Sequence, residues 1–295
     1  VRRVGSVRVG ILEGTGGSRR GADKAAAAVA TQAAVNGWEP AAVTLAELAE
    51  RLPELDRVVL CGGDGLVHRA VQVLAGTPVE VAVVPVGSGN DFARAAGLDR
   101  TGAVPVAAAP PGGPIAATDL IVADGTYATT VLTGGYSGRV NATANAMRIP
   151  PGSSKYTVAA LREIARLRPR DVRLTLERAD GTTDVIEAPM TLFAIGNTAY
   201  FGGGMQICPA ANPADGELEV ITVGALPRRS FVAWLPKVFR GAHLDHPAVS
   251  VDRAVAVTVD TGESLWADGE PLAPGHSTVT ARVAAGALRL LVPGG

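Results

Sequence analysis

A chain of 295 residues is long enough for two domains with separate cores, and an apolar share of 47% excludes disorder throughout. Twenty-seven Lys and Arg against 28 Asp and Glu leave a formal charge of −1, so no global field attracts nucleic acid or an anionic bilayer. Gly (36) and Pro (20) abound beside few aromatics, which points to many turns and small-residue packing. Cys61 and Cys208 are isolated, as small buried thiols in a reducing compartment are, and do not form a disulfide framework. No uncharged apolar run reaches the ~18 residues of a membrane span, and no signal-peptide core follows the first residues. A cytoplasmic protein without a transmembrane segment is expected, any membrane contact being peripheral at the inner face.

Val7 to Leu12 reads as a first strand and Glu13 to Gly21 as a polar loop, in which Arg19 or Arg20 is either a phosphate-facing cation or a solvated base. Ala22 to Val35 is an Ala-rich helix closed by Asn36 and Gly37. Ala41 to Leu45 reads as a strand, Ala46 to Leu52 as a short helix and Arg57 to Cys61 as a third strand. Leu66 to Leu74 carries a helical apolar face, Glu80 to Val84 returns as a strand, and Asn90 to Ala96 starts another helix. Short Val-rich strands alternating with helices predict a parallel, doubly wound sheet. The pattern fades at Thr101 to Pro114, where Pro and Gly accumulate without periodicity.

Beyond Thr118 the texture is β-prone: Leu120 to Ala123, Tyr127 to Leu132, Val172 to Leu176, Val185 to Pro189, Leu192 to Ile195, Leu218 to Val223 and Val255 to Val259. Helices are expected over Lys155 to Leu167 and Arg229 to Arg240, and Gly286 to Pro293 reads as a last strand. The basic residues around Trp234 to Phe239 fit either a membrane-facing helix or an ordinary solvated one.

Two strands run straight into glycine-rich turns, Gly62-Gly63-Asp64-Gly65 and Gly87-Ser88-Gly89-Asn90-Asp91. Glycines let a backbone approach phosphate and aim N–H groups at it, and Ser88 adds a hydroxyl. Asp64 beside phosphate calls for Mg²⁺ or a hydrogen bond that holds the loop, while Asn90 and Asp91 can cap a helix. Taken alone, GGDG is also a plain tight turn. The pair at the carboxyl ends of nearby strands predicts a nucleotide or polyphosphate site. Walker A and GxGxxG patterns are absent. Later in the chain, Phe201 to Met205 carries three consecutive glycines, which suggest a close backbone approach. Asp215 is a turn residue or a carboxylate reaching toward the nucleotide. Asp268-Gly269-Glu270 is a hairpin turn or a carboxylate pair fit to deprotonate an alcohol. The four histidines lack zinc spacing.

Taken together, GGDG, PVGSGNDFAR, Asp119-Leu120, Gly196-Asn197, GGGM, Pro209 with DGEL and Asp268-Gly269-Glu270 resemble, in family order, the diacylglycerol kinase catalytic-domain family. The resemblance implies an α/β domain like those of NAD kinases and 6-phosphofructokinases over residues 1–117 and 286–295. It implies a mostly β, sandwich-like acceptor domain over 118–285. It implies ATP held by Gly62, Gly63, Asp64, Gly65, Gly87, Ser88, Gly89, Asn90 and Asp91, with Arg19 as an added cation. Mg²⁺ would be tied to Asp64 and Asp215. Asp268 would orient the site and Glu270 would be the general base for a lipid hydroxyl, diacylglycerol or a related lipid taken at a membrane surface. Nucleic acid is not an implied partner, and a homodimer is left open. Leu66 replaces the usual Thr, His68 and Arg69 the usual Asn and Glu, and Glu13-Gly14-Thr15 the usual Asn-Pro. These departures keep two alternatives in view, an NAD kinase-like enzyme and a non-catalytic nucleotide-binding module.

Overall fold

In a computed structural model, described over residues 7–15, 19–99, 102–110, 112–147, 154–272 and 278–294, the chain forms two units. The first is Val1–Asp119 with Ala285–Gly295, and the second is Leu120–Ala284.

The first unit contains β1 (Arg8–Glu13), α1 (Arg19–Val35), β2 (Glu39–Ala42), α2 (Leu45–Arg51), β3 (Arg57–Gly62), α3 (Asp64–Leu74), β4 (Glu80–Pro85), α4 (Asp91–Ala95) and α5 (Ala103–Ala107). Every residue of β3 and all but Glu80 of β4 are buried, as strands covered on both faces must be. Pairing is parallel throughout, in the order β2, β1, β3, β4, with Arg289 and Leu290 joining beyond β4. Order therefore reverses between β1 and β3, and the carboxyl ends of those two strands form the crevice where open α/β sheets take ligands.

Thr44 and Glu47 close a reciprocal capping box on α2, so that helix starts at Leu45. Thr101 to Pro114 is not wholly irregular, because Ala103–Ala107 forms a helical turn with Pro105 in its first turn, where a missing N–H costs little. Arg57 anchors it. The buried guanidinium pairs with Glu80 at 2.6 Å, donates to the Ala107 and Ala109 carbonyls at 2.8 and 2.7 Å, and lies 4.9 Å over the Trp38 ring. A long-range clamp of this kind leaves no local periodicity to read.

β5 (Ile115–Ala123) leads into the second unit, which holds β6 (Thr126–Ala128), β7 (Val131–Gly135), α6 (Tyr136–Ala146), α7 (Ser154–Ala165), β8 (Arg170–Glu177), β9 (Thr183–Gly196) and β10 (Leu218–Gly224). There follow α8 (Arg228–Trp234), a 3-10 segment (Leu235–Arg240), β11 (Val249–Ala254), β12 (Ala256–Thr261), β13 (Trp266–Ala267), β14 (Glu270–Pro271) and β15 (Thr278–Leu291). Pairing within the unit is antiparallel. One core, including Leu174, Phe193, Ile195, Val220 and Val257, lies among the strands. A second joins Tyr136, Phe231, Trp234 and Val238 to Ala194, Ile221 and Val223, so α6, α7 and α8 cover a sheet face. Phe231 and Trp234 are fully buried and each contributes roughly 2 to 3 kcal/mol of apolar burial.

Two departures from the expected strands matter for the site. Val185 to Pro189 and Leu192 to Ile195 are one strand, β9, carried through by buried Thr191, which donates to Gly224 O at 2.8 Å. Tyr127 to Leu132 is not one strand, because it breaks at Thr129 and Thr130 between β6 and β7. α6 was not anticipated as a helix: YSGRVNATANA has weak helical patterning, and Gly138 sits where a side chain would meet Trp266 at 2.9 Å.

Candidate functional site

At the carboxyl edge of the parallel sheet three chain exits converge. Gly14 N–H donates to Cys61 O at 2.9 Å, and Val86 N–H donates to Gly62 O at 3.1 Å. The glycine turns touch backbone to backbone: a Cβ on Gly87 would lie 2.7 Å from the Gly63 Cα, closer than real Cβ contacts come. Asn90, in the left-handed region at φ 56°, closes its turn with both ends of its amide. Its Oδ1 accepts from Gly87 N–H at 2.9 Å and its Nδ2 donates to Gly87 O at 2.8 Å.

α3 begins at Asp64, two residues earlier than the apolar pattern suggests, so Gly62 ends the strand, Gly63 caps the helix and Asp64 with Gly65 forms its first turn. An acidic residue there suits the helix field. Asp64 Oδ1 accepts from Phe92 N–H at 3.3 Å and thereby joins the two turns. Its Oδ2 lies 2.7 Å, and Asp91 Oδ2 3.7 Å, from where a side chain on Gly89 would begin. Two carboxylates thus converge on the Gly89 backbone, with the Ser88 side exposed. Among the described residues no three His, Cys, Asp or Glu side chains are grouped to hold a metal. Mg²⁺ takes one or two carboxylates plus phosphate oxygens and water, so Asp64 with Asp91 fits that cation once a phosphate supplies the rest.

Leu66 is buried and folded back under this edge, its Cδ2 2.5 Å from where a Gly62 side chain would start. His68 faces the interior of α3 and Arg69 faces solvent. Arg19 and Arg20 belong to the first turn of α1, while Gly16, Gly17 and Ser18 lie outside the described residues. Arg19 acts on Glu13: burial and a hydrogen bond with Asp23 raise the Glu13 pKa, and the Arg19 charge partly opposes the rise. Burial pushes the Cys61 thiol up to about 12, the Glu13 charge adding to it, so this thiol is inert.

The second unit's acidic turn is a two-residue hairpin between β13 and β14, with Asp268 and Gly269 both at positive φ. Asp268 does more than turn. Its Oδ1 accepts from Thr130 N–H at 2.8 Å and Thr130 Oγ1 at 2.6 Å, and its Oδ2 accepts from Thr129 N–H at 2.7 Å. Asn197 holds the same loop from the other side, donating Nδ2 to Thr129 O at 2.9 Å and its N–H to Thr130 O at 2.8 Å. The Gly196-Asn197 and Asp268-Gly269-Glu270 motifs therefore meet on Thr129 and Thr130, two residues that no motif singled out. Glu270, two residues on, is exposed, and after burial it is the second cause raising the Tyr156 pKa. The carboxylate of Asp268 is consumed by its clamp, whereas that of Glu270 faces outward.

Asp215 is ion-paired with Arg253 of β11, which also binds Glu217 at 2.9 Å, and it accepts from Glu217 N–H at 3.1 Å. The three glycines have φ of 61°, 89° and 103° in a turn closed by Phe201 and Met205. Backbone handedness accounts for them, and a side chain on Gly203 would meet open space.

Among known families, the model of the diacylglycerol kinase catalytic domain matches residues 13–121, and that of the YegS C-terminal NAD kinase beta sandwich-like domain matches 130–292. A protein named diacylglycerol kinase from Mycobacterium tuberculosis is 38% identical over 81% of this chain and 77% of its own. One from Bacillus subtilis is 25% identical over 74% and 72%. A protein named "Probable lipid kinase YegS-like" from Pseudomonas fluorescens is 29% identical over 80% and 77%. In fold, a crystal structure titled as a diacylglycerol kinase from Bacillus anthracis superposes with a TM-score of 0.71 at 16% identity, covering 99% of this chain and 98% of that one. An NAD kinase from Archaeoglobus fulgidus in complex with ATP gives 0.54 at 15% identity, over 97% and 93%.

Proposed function

Because the chain belongs to the diacylglycerol kinase catalytic-domain family, we propose that it is a lipid kinase moving the γ-phosphate of ATP to a lipid hydroxyl, diacylglycerol or a close relative first. The observation that supports this most is the backbone contact of Gly63 with Gly87, in the turns that follow β3 and β4 at the carboxyl edge of the sheet, beside the β1–β3 switch point.

In this reading Gly62, Gly63, Gly65, Gly87, Ser88 and Gly89 border the phosphates, Asn90 holds their turn, and Arg19 approaches as a counter-charge. Asp64, supported by Asp91, would hold Mg²⁺. Asp215 would join it only by leaving Arg253. When bound, the cation supplies charge neutralisation on the phosphates. Glu270 takes the proton of the acceptor hydroxyl as its oxygen attacks the γ-phosphorus in line, the bond to the β-phosphate oxygen breaks, and ADP departs. Asp268 positions Glu270 through the Thr129–Thr130 clamp. Positioning and charge carry most of such a reaction.

The test is transfer of labelled γ-phosphate from ATP, with and without Mg²⁺, to diacylglycerol, sphingosine, ceramide and NAD, with Glu270→Gln as control. Labelled lipid formed by wild type alone supports the reading and names the acceptor. The likeness to an ATP-bound NAD kinase favours a second reading, and labelled NADP with unlabelled lipid would establish it. Nucleotide binding without transfer to any acceptor would leave a binding module.

A further inference from the structure

The resemblance gives Asp215 to Mg²⁺, but the residues around it are arranged for a different cation. Gly216, at φ 74° with open space where a side chain would start, turns the chain between Asp215 and Glu217 so that both carboxylates meet one side chain. That side chain is Arg253 of β11. A terminal nitrogen of its guanidinium binds Asp215 Oδ2 and its Nε binds Glu217 Oε2 at 2.9 Å, so one planar fork spans two carboxylates. Asp215 Oδ1 is engaged as well, accepting from Glu217 N–H at 3.1 Å.

A third carboxylate acts on the same guanidinium. Glu219 is the direct cross-strand neighbour of Arg253 in the β10–β11 ladder, and it is buried with Oε1 unpartnered among the described residues. The Arg253 charge opposes the rise that burial imposes on the Glu219 pKa. No Lys or Arg occurs from Ala179 to Pro227, so the charge that offsets these acids has to come from another part of the chain. β11 is fastened to deliver it. Arg178 donates Nη1 to Arg253 O at 2.6 Å, and its Nη2 pairs with Asp252 and with Asp184 of β9, each at 2.8 Å. The Arg253 side chain is 46% exposed, and pairs so open to water add little stability singly. What the arrangement supplies is occupancy: Asp215 and Glu217 already hold a positive charge. Mg²⁺ demands near-octahedral oxygens, and among the described residues no three His, Cys, Asp or Glu side chains are grouped to hold a metal, at this turn or elsewhere.

We propose that Arg253 takes the place of a metal ion at the Asp215 turn: its guanidinium is the resident cation, the wild-type turn takes no Mg²⁺, and removing the guanidinium opens Asp215 and Glu217 to a divalent cation. A guanidinium is suited to the part, because it stays protonated at every working pH and no chelator removes it. The assignment departs from the role that the resemblance gives Asp215 and leaves Asp64 with Asp91 as the carboxylates fit for Mg²⁺. It does not rest on the lipid-kinase reading, since neither nucleotide nor lipid enters its test.

The experiment counts Mn²⁺ bound to the full chain by electron paramagnetic resonance, without nucleotide, and reads Tm in EDTA and in millimolar Mg²⁺. Asp215→Asn should bind as many ions as wild type, because the wild-type turn takes none. Arg253→Gln should bind one ion more than wild type, and Mg²⁺ should raise its Tm by about 2 °C beyond any rise in wild type. Arg253→Gln combined with Asp215→Asn should lose both the extra ion and the extra rise. Arg253→Lys, which keeps the charge, should exclude the ion as wild type does. A wild-type ion that Asp215→Asn removes overturns the proposal. So does Arg253→Gln that gains no ion, or Arg253→Lys that gains one, since a positive charge would then not be what fills the turn. The comparison of wild type with Asp215→Asn decides the wild-type half whether or not Arg253→Gln folds.

Discussion

The carboxyl edge of the first unit and the acidic turn of the second are made of different material. At the first, what matters is which side chains are missing: Gly63 and Gly87 meet as bare backbone, and a carboxylate oxygen of Asp64 lies 2.7 Å from where a side chain on Gly89 would begin. At the second, side chains make the structure, with Asp268 and Asn197 binding Thr129 and Thr130 from two sides. Sites of the first kind tolerate changes of polarity but not of volume, whereas sites of the second kind tolerate neither loss of an acceptor nor loss of charge.

Glu270→Gln gives the largest effect expected at either region. It keeps the size of the exposed side chain and removes the carboxylate proposed as proton acceptor, so on that proposal kcat should fall by about 10²- to 10⁴-fold with nucleotide affinity and Tm unchanged. Wild-type turnover at saturating substrates would remove the assigned base. Asp268→Asn should act through structure. One oxygen of the clamp becomes an amide facing the Thr129 or Thr130 donors, and about 1 to 3 kcal/mol of stability goes with it, read by denaturant melts. On the proposal that the clamp positions Glu270, kcat should fall with little change in nucleotide Kd; an intact Tm together with an intact kcat would refute the clamp.

Gly87→Ala tests the other kind of site. The added methyl meets the Gly63 backbone at 2.7 Å and Asn90 Oδ1 at 2.8 Å, so the turns must separate, at a cost of about 1 to 3 kcal/mol. Calorimetry should show weaker nucleotide binding, while Gly65→Ala, whose added methyl meets nothing within 4 Å, should not clash in the same way. Equal losses in the two variants would show that contact between the turns is irrelevant.

The smallest effect concerns Glu219 on β10, buried, with Oε2 accepting from Ala210 N–H at 2.8 Å and Oε1 unpartnered among the described residues. Burial raises its folded pKa, with backbone hydrogen bonds and Arg253 opposing the rise. A raised acid binds its proton more tightly when folded, so its contribution favours folding at acid pH and is lost as pH rises from the unfolded value through the folded one. Glu219→Gln should therefore be more stable relative to wild type at pH 8 than at pH 5. A gap that does not change with pH would show that Glu219 is not desolvated.

Much of the first unit was legible because its signals are local. Val-rich runs ending in glycine turns mark parallel strands, and the order of those turns marks the ligand edge. What escaped was long-range. Arg57 gathers α5 from 50 residues away, and Asp268 breaks the run Tyr127 to Leu132 by bonding its backbone donors from 137 to 139 residues away. Asp215 looks locally like a turn residue or a ligand, and only the fold supplies its partner Arg253, 38 residues on. Leu66 reads as a lost hydroxyl in the sequence but packs beneath the turn as a wedge against Gly62.

β15 enters the first unit only at its end. Leu288, Leu290 and Leu291 are buried there, Arg289 and Leu290 pair with Glu80 and Val81, and Asp119 accepts from Gly286 N–H at 2.7 Å. On the ribosome, that unit's sheet lacks this edge until the whole second unit has been synthesised. β4 meanwhile presents an unpaired Val-rich edge, the kind of surface on which nascent chains aggregate or recruit chaperones. The unit translated before the second is thus completed only after it, and its assembly waits on β15.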